Sequence, residues 1–195
     1  MGVLCCAGDE GDFMMQRIER ERAKRYAFDP GYETLLTVDQ GEVFEVETED
    51  AASGRVREDG FVPSVANRPE LRATPPLVNP VAGPIKVRGA AARDVLAVTI
   101  HDIEPEDQGW TGVRPGAGPL GDSIQWMGES AEAYATIIRH TPGADGKVKD
   151  GTAHFEGKYR WPVTPFIGTL ATAPEREVTD ERAGTGGVRG ESGCA

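Results

Sequence analysis

Residues Asn79–Ile100 read NPVAGPIKVRGAAARDVLAVTI, and this stretch decides the fold prediction. Each proline fixes its own φ and disfavours helix at the residue before it, so the opening NPVAGP is predicted to be extended and stiff. A short strand is predicted at 85–88 and a tight turn at 89–93. The clearest strand of the chain is predicted over 94–103, where large apolar residues alternate with small or polar ones.

Similar strand signals continue on both sides of this stretch. Short strands are predicted at 35–38, 42–48, 134–140 and 166–172, and a hairpin is predicted around Asp150-Gly151. Segments 50–72 and 108–122 are irregular and contain many of the glycines and prolines. Because Gly and Pro number 25 and 14, about a fifth of the chain, a helical bundle is excluded and short strands joined by turns are favoured. The residues therefore predict a β-sandwich or a related all-β domain.

Composition excludes several classes of partner. The formal net charge is −11 and the pI is near 4.8, so a phosphate backbone would be repelled and nucleic-acid binding is not expected. No apolar stretch approaches the length of a membrane span, and residues 1–13 lack the features of a secretory signal. Cys5, Cys6 and Cys194 all lie near an end, which argues against a disulfide framework or a four-cysteine zinc site. A reducing, cytoplasmic location is predicted.

The chain is predicted to have three parts. Residues 1–25 are expected to be a flexible leader, within which 16–25 reads equally well as a short helix or a solvated arm. Residues 26–175 carry the strand signals and form the predicted β domain. Residues 176–195 are expected to be an aberrant or disordered tail.

Candidate site residues occur in two places. His101 and Asp102 end the predicted strand and could join an acid/base or metal site, although a solvated strand end is the favoured interpretation. Trp110 and Thr111 lie in a Gly/Pro-rich loop that could line a substrate pocket, with His101, Asp102 and Asp122 as further polar contributors. An ordinary structural turn explains the loop equally well. The residues identify no nucleophile elbow, phosphate loop or paired-histidine zinc motif, so catalytic residues and metal ligands stay unassigned.

Three ordered segments carry a family resemblance. Residues 26–51 include VDQGE followed by ETEDA, residues 79–98 include NPVAGPI and DVLAV, and residues 164–169 read TPFIGT. In this order and spacing, residues 16–175 resemble the acetamidase/formamidase family, with its "NPxTGPI.VxGAxPGDxLxV" and "PFIGxxGxAP" segments. Ala82 departs from the usual Thr, and Ala92-Arg93 replaces the usual Pro-Gly before Asp94.

The resemblance implies a mainly β fold, a jelly-roll-like β-sandwich with long Gly/Pro-rich loops. It implies hydrolysis of short linear amides such as formamide and acetamide to the acid and ammonia. Such chemistry needs an activated water and stabilisation of a tetrahedral oxyanion, which a metal and carboxylates often supply. We expect no cofactor in this chain itself, with zinc or calcium as the divalent metal of the full-length family. A small amide substrate and a homo-oligomer are the expected partners.

The end of the sequence differs from the family pattern. Family members usually continue into a Gly-Gly-Asn-Met/Leu-Asp motif and then Gly-Asp-x-His and Gly-Asp-Gly-Glu segments, none of which follows Pro174 here. We therefore expect a truncated hydrolase with an incomplete active site, and a frameshift near Gly190 would explain it. The alternative is a non-catalytic β-sandwich binding module or degenerate family member. The coding DNA downstream of Ala195 tests the frameshift.

Overall fold

The computed structural model describes residues 15–74, 76–113, 132–174 and 178–179. These residues form a mainly β structure, which confirms the predicted class; the jelly-roll topology stays a prediction. The single α-helix of the described residues is α1, Arg20–Ala23. The strands are β1 Gln16–Ile18, β2 Lys24–Arg25, β3 Ala27–Phe28, β4 Leu36–Val38, β5 Phe44–Val46, β6 Val81–Ala82, β7 Ile85–Val87, β8 Gln108–Val113, β9 Tyr134–Thr141, β10 Thr152–Phe155, β11 Tyr159–Pro162 and β12 Val178–Thr179.

The chain divides into two compact units. The first contains the described residues up to 53, together with 77–104 and those from 165 onward. Its strands form four pairs: β1 with β5 and β4 with β7 are parallel, while β2 with β6 and β3 with β12 are antiparallel. The predicted strands at 35–38, 42–48 and 85–88 are confirmed as β4, β5 and β7, each slightly shorter than predicted.

The core of the first unit includes part of the segment 1–25, which the sequence predicts to be a flexible leader. Ile18 on β1 is 1% exposed and packs with Ala23 of α1 and Val46 of β5. Leu35, Leu36, Phe44, Ala82 and Ile85 complete this cluster. The chain from Gln16 to Arg25 is thus built from β1, α1 and β2, because its apolar residues supply one wall of the core. Residues 1–14 lie outside the described part of the chain.

Two predicted strands are wrong. Residues 94–103 and 166–172 have no helix or strand assignment. Val95 is 95% exposed and Phe166 81% exposed, and Leu96, Val98 and Ile100 are also on the surface. An alternating pattern shows which side chains could share a face, but a strand exists only where a neighbour supplies its ladder of hydrogen bonds. The predicted turn at 89–93 does form, with the Asp94 Oδ2 atom accepting the Ala91 N–H at 2.8 Å.

The second unit contains residues 54–76 and 105–164 and carries a four-stranded antiparallel sheet. The strand order is β11-β10-β9-β8. β9 confirms the strand predicted at 134–140 and pairs Ile137 with Trp110 of β8. Ala135, Ile137 and Ala153 are buried, as expected for the inner face of a half-buried sheet.

The predictions around β8 and β10 need correction. The residues predicted as the start of a Gly/Pro loop form β8, where Gly112 allows close packing: a Cβ on Gly112 would lie 3.0 Å from the Tyr134 carbonyl oxygen. The predicted hairpin at Asp150-Gly151 is a 3₁₀ turn, Val148–Asp150. The actual hairpin joins β10 to β11 through residues 156–158, where Glu156 and Gly157 have positive φ.

The helices of the described residues are too short or too polar for a membrane span.

Candidate functional site

A pocket of about 480 Å³ lies within the first unit. One wall comes from residues 81–87, which include β6 and β7, and another from the turn after β7. Apolar wall residues include Phe28, Val81, Ile85 and Leu96, and polar ones include Arg25 and Tyr32. The volume is in the range typical of small-molecule sites, which are mostly apolar with a few placed polar groups. This pocket was not predicted from the sequence.

The pocket is lined by more cationic than anionic side chains. Arg25, Lys86 and Arg93 are cationic, whereas Asp29 and Asp94 are anionic. Asp29 already accepts the Gly31 N–H at 2.7 Å, and Asp94 accepts the Ala91 N–H at 2.8 Å. The lining therefore has an excess of one positive charge, in a chain whose formal net charge is −11.

Arg25 is held in place by its surroundings. Its guanidinium lies over the Tyr32 ring, 5.3 Å from the centroid. Its Nη1 donates to the carbonyl oxygens of Arg22 at 3.1 Å and Lys24 at 2.9 Å. A cation fixed by stacking and by backbone acceptors loses little further side-chain entropy when it binds a ligand.

A cluster of buried carboxylates and an arginine lies in the same unit, outside the pocket lining. Glu45 lies on β5 and Glu47 directly after it, and both are buried. Arg17 forms ion pairs with both carboxylates. The Arg20 backbone N–H donates to Glu47 Oε2 at 3.0 Å, and this bond, followed by the one from Arg17, holds the pKa of Glu47 below its usual value of 4.5. The ion pairs of Arg17 thus join β1 to β5 and to the residue that follows it.

The predicted pocket residues Trp110 and Thr111 lie in the second unit. Both are on β8, where consecutive side chains point to opposite faces. Trp110 is half-buried opposite Ile137, while Thr111 is exposed opposite Thr136. The two side chains therefore do not line one wall together.

The other predicted residues belong elsewhere. His101 and Asp102 are in the first unit, where His101 is exposed and Asp102 Oδ1 accepts the Ile103 N–H at 2.9 Å. Asp122 lies outside the described residues. The five predicted site residues thus do not share a unit, and their roles stay predictions.

His140 is a better-oriented histidine than the one we singled out. Its Nδ1–H donates to the Glu106 carbonyl oxygen at 2.7 Å, which leaves Nε2 as the acceptor nitrogen of the neutral ring. The ring lies beside Gly109, where an added Cβ would be 3.7 Å from Nε2. The sequence feature that could have singled out His140 is its place at the end of the predicted strand 134–140. Within the described ranges, no three His, Cys, Asp or Glu side chains are grouped closely enough to hold a metal ion.

Comparison with known proteins gives a consistent family assignment. The family model described as "Acetamidase/Formamidase family" matches residues 12–187. A provisionally named formamidase of Schizosaccharomyces pombe is 26% identical over 154 residues, which cover 74% of this chain and 33% of the yeast protein.

Two solved structures have a similar fold. A predicted acetamidase/formamidase from the thermophile Thermoanaerobacter tengcongensis is 28% identical with a TM-score of 0.62, covering 85% of this chain and 48% of that one. An acetamidase from Bacillus halodurans is 20% identical with a TM-score of 0.60, covering 84% and 48%. The chain thus spans about half the length of these two proteins and a third of the yeast protein. Because the family model matches most of its length, the chain belongs to the acetamidase/formamidase family.

Proposed function

We propose that this chain forms part of a hydrolase that cleaves the carbon–nitrogen bond of short linear amides such as formamide and acetamide. The observation that supports this proposal most strongly is the family match over residues 12–187. In support, the Schizosaccharomyces protein is named a formamidase, the Bacillus protein an acetamidase, and the Thermoanaerobacter protein an acetamidase/formamidase. The acidic composition supports our proposal of a cytoplasmic location.

We further propose that the chain is inactive without additional polypeptide. Amide hydrolysis requires an activated water and oxyanion donors in one place. The aligned part is about half of each solved relative. We propose that the missing groups, including ligands for zinc or calcium, lie in the other half of the family sequence.

Ammonia release from formamide and acetamide tests this proposal. We expect the purified 195-residue chain to release no ammonia above buffer, with or without zinc or calcium. We expect release once the chain is combined with the unmatched part of the Thermoanaerobacter tengcongensis protein. Ammonia release by the chain alone would show that its own residues complete the site.

The pocket of the first unit favours a second candidate, a non-catalytic binding module. Its combination of apolar walls and charged groups can bind a small polar molecule without any reaction. Binding of a ligand by the chain, combined with no ammonia release even in the presence of the unmatched polypeptide, would favour this second candidate.

We also propose that the chain self-associates through the surface formed by Leu96, Val98 and Ile100. These side chains are 41–47% exposed and alternate along one segment. Contiguous exposed apolar residues usually mark an interaction site. The substitution Val98→Lys should weaken self-association about tenfold, because a lysine would have to be desolvated in the contact.

Light scattering coupled to size-exclusion chromatography measures this effect. The matched control is Val62→Lys, which places the same charge at a 54% exposed valine of the second unit and should associate like the natural chain. A natural chain that stays at its monomer mass of 20.9 kDa at all concentrations would disprove the self-association proposal.

A further inference from the structure

The turn after β7 contains an arginine in a backbone conformation that favours glycine. Arg93 has φ 77°, in the left-handed region, and lines the pocket of the first unit. For a residue with a Cβ this conformation is strained, whereas glycine adopts it readily. The Pro-Gly that the family motif has before the aspartate would suit this turn, but this chain has Ala92-Arg93. Of the four described non-glycine residues with positive φ, Ser53, Asn79, Arg93 and Glu156, Arg93 is the one that lines this pocket.

The surroundings of Arg93 point to an anionic ligand. Arg25 and Lys86 line the same pocket, and neither is in an ion pair within the described residues. The two carboxylates of the pocket, Asp29 and Asp94, each accept a backbone N–H. Arg93 forms no ion pair within the described residues either, and a guanidinium can bind a carboxylate through two parallel hydrogen bonds.

The rest of the lining limits the size and polarity of that ligand. Phe28, Val81, Ile85 and Leu96 provide apolar contact, and the volume of about 480 Å³ suits a molecule larger than an inorganic ion. We propose that this pocket binds a small aliphatic carboxylate, with Arg93 and Arg25 contacting the carboxylate group and the apolar wall contacting the hydrocarbon chain. A small aliphatic carboxylate belongs to the same class as the acid that amide hydrolysis would release, so this inference adds a binding site for that anion class to the proposed function, and it is tested by binding alone.

Calorimetric titration with sodium butyrate tests the proposal on the full 195-residue chain. Butyramide, its neutral isostere, and sodium chloride at equal ionic strength are the comparison solutes. We expect a heat of binding for butyrate and none for butyramide or sodium chloride. The substitution Arg93→Gly should weaken butyrate binding about tenfold, the size of effect expected for one charge-assisted hydrogen bond.

The same variant separates binding from folding. Arg93→Gly relieves backbone strain, so its free energy of unfolding should equal or exceed that of the natural chain. The control is Glu156→Gly, which relieves a similar conformation, φ 52°, in the second unit and should leave butyrate binding unchanged. The proposal is overturned if butyrate does not bind at tens of millimolar, if butyramide binds equally well, or if Arg93→Gly binds like the natural chain. None of these results depends on ammonia release.

Discussion

Replacing Gly151 by alanine should destabilise the second unit by about 3 kcal/mol, because the new methyl group would overlap backbone atoms. A Cβ at this position would collide with the Thr141 carbonyl oxygen and lie 3.0 Å from the Val148 carbonyl oxygen. Gly151 is buried, its N–H donates to Val148 at 3.0 Å, and its carbonyl oxygen accepts the Val163 N–H at 3.0 Å. Since neither neighbour is a flexible side chain, β10 would have to move away from β9.

Urea unfolding of Gly151→Ala measures this loss. Gly168→Ala is the control, because an added Cβ there has no neighbour within 4 Å, and its unfolding midpoint should match that of the natural chain. Equal midpoints for Gly151→Ala and the natural chain would mean that the junction before β10 is packed differently.

The second large effect is expected at Glu47 and depends on pH. Glu47→Gln should lower the free energy of unfolding at pH 7 by about 2 kcal/mol, because hydrogen bonds to a charged group are replaced by neutral ones. The pKa of Glu47 is lowered in the folded chain, chiefly by the Arg20 N–H and then by Arg17. Its contribution is therefore fully present above the usual pKa of 4.5 and is lost as pH falls through the lowered folded pKa.

The difference between the natural chain and Glu47→Gln should thus shrink as pH is lowered below 4.5. Denaturant unfolding at a series of pH values measures it. Glu33→Gln, at an exposed glutamate, should cause little change at any pH. A Glu47→Gln difference that stays constant down to the lowest pH would exclude the charged form of Glu47 as the source of the stabilisation.

Alternation of apolar residues predicted strands where a partner strand was close. β4, β5, β7 and β9 were predicted within a residue or two, because each pairs with another strand of the same unit. The same kind of alternation failed at 94–103, where the apolar side chains are exposed and no strand is assigned. Alternation shows the periodicity of a segment, but it does not show whether another strand lies beside that segment.

Residue propensity misled the prediction in two other places. Gly109 and Gly112 led to the prediction of a loop at β8, although the close approach of β9 favours a small residue at Gly112. The charged residues of 16–25 concealed Ile18 and Ala23, which point into the core. Both errors come from tertiary packing, which a local pattern does not contain.

The candidate site was less predictable than the fold. The sequence singled out His101 and Trp110 from their chemistry, but these residues belong to different units. The pocket residues Arg25 and Arg93 are far apart in sequence and were not predicted to meet. The one sequence feature that pointed to this pocket was Arg93 in place of the family's glycine. Its significance depends on the φ of 77°, which the sequence does not give.

Ammonia release in the presence of the unmatched half of the Thermoanaerobacter tengcongensis protein tests the central proposal most directly. The rate with formamide and acetamide would be compared for this chain alone, for the added polypeptide alone, and for the two co-expressed and purified together. We predict ammonia from the co-purified pair and none from either part. A co-purified pair that releases no ammonia, with zinc or calcium supplied, would contradict the proposal that this chain is part of an amide hydrolase.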